Sequence, residues 1–223
     1  MSEQFNNAMM MAMDAFKANN EEECKSFCNQ ALTVDPKSAN AKALKGAAVL
    51  ISFSLAGAES DAVEAIEIWR SITDISSLTD EYKDIVIESA FDFRSRWYEA
   101  AKAHYNEFKD VKGTDSEFNH EKEAYKQFME CVAQLSWLQN YPKFLQFTVN
   151  LVQQQIANLN EVTFAQILIE ANKDKGGEIG ELTKQIEDSF GELKKRRNIK
   201  RGIILGFIAA WIIVAIIMNK MGM

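Results

Sequence analysis

Two prolines in 223 residues, Pro36 and Pro142, constrain what this chain can fold into more than any other feature. Proline and glycine are the main breakers of regular structure, and an all-β chain needs a turn every ~8–12 residues. Here the glycines are also widely spaced, so long stretches run unbroken, and their apolar residues recur at intervals of three and four. The pattern predicts an all-α protein. Eight or nine helices can be drawn, over about 3–18, 21–34, 38–56, 61–73, 80–111, 117–139, 142–158, 161–173 and 178–193. Asp35-Pro36 ends the second, Gly57 and Gly113 stop the third and fifth, Asn160 caps the eighth, and Gly176-Gly177 is the clearest linker. The fifth helix has two apolar faces. One holds Tyr82, Val86, Phe93, Trp97, Ala100, His104 and Phe108 and the other Ile87, Phe91, Tyr98 and Tyr105, as expected of a central helix packed on both sides.

Residues 202–218 read GIILGFIAAWIIVAIIM, seventeen without a charge, of which ten are Ile, Leu, Phe or Val. As a helix the segment reaches ~25 Å, the short end of a membrane span. Each large apolar residue near the membrane centre favours insertion by ~0.3–0.6 kcal/mol. A buried core helix is the competing reading, but it would not need isoleucine on every face. Lys194, Lys195, Arg196, Arg197, Lys200 and Arg201 precede the segment, and Lys220 alone follows it among basic residues. Positive charge favours the cytoplasmic side, so a single pass with the N-terminal body in the cytoplasm is expected. Only Asn219–Met223 follow, the layout of a tail anchor. The six-residue basic cluster sets this topology and suits anionic lipid headgroups. A bacterial plasma membrane is the first expectation for location, and the short span also suits a mitochondrial outer membrane. The first residues lack the basic start of a signal peptide.

The net charge of −7 hides an asymmetry. Residues 194–223 carry seven basic side chains and no acid, which leaves 18 Lys and Arg against 32 Asp and Glu in residues 1–193. An acidic body repels a phosphate backbone, so nucleic acid is excluded as a partner class. Cys24, Cys28 and Cys131 are then free thiols in a reducing compartment.

Within the body, small residues recur where paired helices must approach closely. From Ala8 the first helix carries Met11-Ala12 and Ala15, and the second carries Cys24, Cys28 and Ala31-Leu32 before Asp35-Pro36. A second unit starts at Ala39, with Gly46 at its close-contact position and Ala65 and Trp69 in its second helix. Gly46 to Ala65 is seven residues longer than Ala12 to Cys24, so this unit carries an insertion. On these residues the region 5–69 resembles the tetratricopeptide repeat family, which builds 34-residue helix–turn–helix units. The resemblance implies stacked helix pairs over residues 1–75. A helical extension over 76–175 shows no clear repeat; an amphipathic juxtamembrane helix with its basic flank over 178–201 and the anchor at 202–218 complete the chain. The arrangement is similar to that of the mitochondrial fission adaptors, without a specific motif match.

No phosphate loop, dinucleotide fingerprint or nucleophile elbow is present, and no catalytic residue or cofactor is expected. Glu117-x-x-His120 has the spacing of di-iron bundles, but the second such motif is missing, because Ala101 stands three residues before His104. Cys24 and Cys28 read as packing residues, not metal ligands. The expected function is a tail-anchored helical-repeat adaptor that presents a protein-binding surface at a membrane. A membrane-remodelling or pore-forming bundle is the alternative. The expected partner is another protein's peptide or amphipathic helix, docked on the first and third helices through Met9, Met13, Leu44 and Ala48.

Overall fold

The computed structural model describes the backbone of residues 2–154 and 162–220 and the side chains of 2–153 and 162–199. Among these residues there is no strand. The helices are α1 (Glu3–Lys17), α2 (Glu21–Val34), α3 (Ala39–Val49), α4 (Ala58–Arg70), α5 (Asp80–Phe108), α6 (Thr114–Ala133), α7 (Pro142–Gln154), α8 (Phe164–Asn172) and α9 (Gly177–Lys220). The expected cap at Asn160 lies outside the described residues.

Local chemistry sets the starts of the early helices. The side chains of Ser2, Asn20 and Ser38 accept from the backbone N–H of Phe5, Glu23 and Ala41, satisfying donors that the first turn leaves open. The third helix ends at Val49, short of the expected 56. Arg96 of α5 accounts for that end: its guanidinium donates to the carbonyls of Leu50 (2.6 Å) and Ile51 (2.9 Å). A cation is favoured there by the exposed carbonyls and dipole of a helix C-terminus. Residues 50–57 then hold the insertion as an irregular connection, with Phe53 edge-on to Phe93.

The helices alternate between two layers, with α1, α3, α5, α7 and α9 in one and α2, α4, α6 and α8 in the other. Equivalent helices run parallel, as paired contacts show. Asn40 at the start of α3 accepts from the Thr79 N–H at the start of α5, and Arg96 reaches the end of α3. Glu59 and Arg70 of α4 meet His120 and Cys131 of α6, each partner 61 residues on. Lys143 at the start of α7 bridges Asp84 and Glu88 of α5. Glu130 and Gln139 meet Thr163 and Asn172, each 33 residues on. The repeat-like pairing therefore continues past residue 79, where no sequence repeat is visible. Its spacing varies because α5, at 29 residues, is much longer than its counterparts.

The two ends of the array are packed differently. Around α1–α3 the core is Phe5, Ala8, Met9, Ala12, Ala15, Cys24, Cys28, Ala31, Ala41, Leu44 and Ala48, mostly small. Gly46 is tightest, since a Cβ there would lie 2.3 Å from Nε1 of Trp69, whose N–H donates to the Ala43 carbonyl. Around α5–α8 the core is aromatic: Phe93 packs edge-on against Phe53, Trp97 and Phe128, and Phe91 against Phe144 and Phe164. Phe16, Tyr82 and Ile85 touch both clusters and join them.

Candidate protein-binding groove

Met9, Leu44 and Ala48 are buried and Met13 is half-buried, all within the small-residue core. They do not line an open groove, which corrects the expected binding face. The reason is rotational. Leu44 and Ala48 lie on the stripe of α3 that packs against α1 and α2, whereas Ala47 is turned about 60° from Leu44. The cover does not come from α9 either, because that helix packs on α7 and α8 through Leu182, Ile186, Phe190 and Leu193.

A groove of about 420 Å³ lies one stripe further round, between α1, α3 and α5. Phe16, Ala47, Leu50, Ile51 and Ile85 form its apolar floor, and Glu88, Ser89, Asp92 and Arg96 form one wall. That volume is within the range of sites that hold small ligands or a few side chains. At the α1 end the chain turns away at Asn19, whose φ of 54° is the left-handed conformation that asparagine tolerates better than most residues. Arg96 braces the opposite side. Beyond its bonds to the end of α3 it donates to Asp92 at 2.8 Å and lies over the rings of Phe53 and Phe93. The carboxylates of Glu88 and Asp92 remain largely exposed, at 58% and 65% of their side chains, and each stands in an ion pair, Glu88 with Lys143 and Asp92 with Arg96.

The four expected residues lie on the neighbouring stripe of the same layer of helices, and the expectation did not include α5. A signal for that contribution was present in the spacing Ile85, Ser89, Asp92, Arg96, a helical face distinct from both apolar stripes. Of the basic cluster, Lys194, Lys195 and Arg196 are exposed and Arg197 is half-buried, while the side chains of Lys200 and Arg201 lie outside the described residues.

Elsewhere, His104 pairs with Glu117 at 3.5 Å and His120 with Glu59 at 3.3 Å. Among the described residues no cluster of three or more His, Cys, Asp or Glu could hold a metal ion. Cys24 and Cys28 are fully buried side by side, and the hydrogen bond between them together with burial pushes the Cys28 thiol far above its ordinary range. Such a thiol is a packing group and not a nucleophile.

Comparison of the chain with protein-family models, with curated proteins and with solved structures finds no match. The structure is a helical repeat-like all-α fold. Among the described residues no helix is long and apolar enough to cross a membrane. The side chains of 202–218 lie outside those residues, although α9 itself runs unbroken to Lys220.

Proposed function

We propose that this chain is a tail-anchored, tetratricopeptide-like adaptor, inserted through residues 202–218 with its body on the cytoplasmic side, which holds a segment of another protein in the α1–α3–α5 groove. The observation that carries the reading is the groove itself. Three parallel helices of one layer expose an apolar floor beside a wall of paired charges. An amphipathic helix that places an apolar stripe on Ile51 and Ile85 and polar groups along the paired charges of the wall fits this surface. The reading includes no catalytic step. Anchoring raises the effective concentration of the adaptor near other membrane proteins without adding a contact.

Photocrosslinking from position 89 in intact cells, with Ile51→Glu as the comparison, tests the proposal. A discrete adduct from position 89 that Ile51→Glu removes, with unchanged melting temperature, is the expected result. No adduct above the level seen from a reporter at exposed Thr73 would contradict it. Release of trapped contents from liposomes by the purified chain would instead favour a pore.

A further inference from the structure

The turn between α5 and α6 exposes two apolar side chains, Phe108 at 40% and Val111 at 59%, each followed directly by a lysine, Lys109 and Lys112. The turn is well built. The Val111 N–H donates to the Phe108 carbonyl at 2.8 Å, the buried Thr114 hydroxyl donates to the same carbonyl at 2.8 Å, and Gly113 supplies the left-handed φ of 106°. These bonds close the turn from within, and Phe108 and Val111 remain outside. Asp110 shares the turn, and Glu107 and Asp115 flank it, so net positive charge does not explain the lysines.

The height of this turn in the array is informative. Helices α5 and α6 are antiparallel, with His104 beside Glu117, Trp97 beside Glu121 and Phe93 beside Phe128. Glu130 is therefore sixteen residues below the top of α6, about 24 Å by helical rise. Thr163 sits beside Glu130, and α8 descends from there through nine residues to Asn172, about 14 Å further. A short turn reverses the chain into α9, which packs on α8 and α7 and so climbs in the direction of α5. From Gly177 to Gly202 the rise is about 38 Å. By rise alone, Gly202 returns to the level of Phe108–Gly113.

We infer that the α5–α6 turn is a second membrane contact, in which Phe108 and Val111 enter the interface of the bilayer that receives residues 202–218 while Lys109 and Lys112 stay at headgroup level. The inference rests on the anchor reading above. An apolar pair flanked by long cationic side chains matches the boundary between acyl chains and headgroups. Two side chains are too few to bind a bilayer alone. Beside an anchor they suffice, because tethering makes the second contact intramolecular. With α9 and α5 both meeting the surface, the helices stand along the membrane normal, and the groove opens parallel to the membrane plane.

The test uses the full chain in phosphatidylcholine vesicles that carry nitroxide-labelled lipids and no other protein. A fluorophore is attached to Val111→Cys, or for comparison to Thr73→Cys at the opposite end of the array, each in a Cys131→Ser background where the remaining cysteines are buried. Carbonate washing of the same vesicles first reports the anchor. Retention with at least threefold stronger quenching at 111 than at 73, reduced to the level at 73 by Phe108→Glu, supports the inference. Retention with equal quenching at both positions overturns it and leaves the anchor reading intact. Loss of the chain on washing overturns both.

Discussion

The first two helix pairs and the last four helices of the body follow the same pairing scheme with opposite materials. In α1–α4 most of the contact residues are alanine, glycine and cysteine, and a large side chain, Trp69, fills the space beside Gly46. In α5–α8 the space between helices is filled by Phe91, Phe93, Trp97, Tyr125, Phe128, Phe144 and Phe164. The difference teaches that a repeat architecture does not require a repeated sequence. Close approach demands small residues at fixed positions and leaves a readable pattern. An aromatic interior accepts many arrangements, since ring pairs tolerate a range of separations and angles, and it leaves none.

The comparison can be broken most sharply at Phe93. Phe93→Ala should destabilise the body by about 3–5 kcal/mol in denaturant unfolding, because a fully buried ring that contacts three others leaves a cavity that rigid neighbours fill poorly. A loss below ~1 kcal/mol would mean the aromatic core is loosely packed. In the small-residue half the sensitive change is the reverse one. Gly46→Ala should cost about 1–3 kcal/mol, since the added methyl must push the Trp69 indole off its bond to Ala43. A neutral result would show that the close approach is not needed.

The thiols offer a gentler probe of the same contrast. In the native chain a water-soluble thiol reagent should modify Cys131 within minutes and leave Cys24 and Cys28 untouched until unfolding, because those two are fully buried and Cys131 is only half-covered. Rapid modification of all three would show that the α1–α2 pair opens easily.

The smallest effect is alkaline. Burial and then Glu81 hold the Tyr82 hydroxyl up at about 12, and burial and then the hydrogen bond to Asp84 raise Tyr141 still further. Both pKa values are raised on folding. Their contribution to stability is therefore complete below the unfolded value of about 10 and is lost as pH climbs beyond it. Melting temperature should fall above about pH 10. Tyr141→Phe should lower stability by about 1 kcal/mol at neutral pH through loss of the Asp84 bond, and should flatten the alkaline fall. An unchanged alkaline slope in that variant would remove Tyr141 from the account.

Much of this architecture was legible because the signals were local. Breakers at Pro36, Gly113 and Gly176-Gly177 bounded their helices to within a few residues, and Gly46 was expected at a close-contact position, where it meets Trp69. What could not be read was long-range. The early end of α3 depends on Arg96, about 45 residues away, and nothing near Leu50 announces it. The pairing of α4 with α6 depends on contacts 61 residues apart, a spacing set by the length of α5. The burial of Leu44 and Ala48 could not be read for a related reason. Helical periodicity shows that α3 has an apolar face, but which of two neighbouring stripes is covered depends on the angle at which α1 and α2 pack, and that angle is a property of the assembled array.

The central claim, a groove held at a membrane by residues 202–218, is tested most directly by carbonate extraction of membranes from cells that express the chain, together with protease access. The full chain should stay in the membrane pellet, a chain ending at Leu193 should wash off, and protease should reach the body only after the cells are opened. Release of the full chain by carbonate, or digestion of the body in intact cells, would contradict the account.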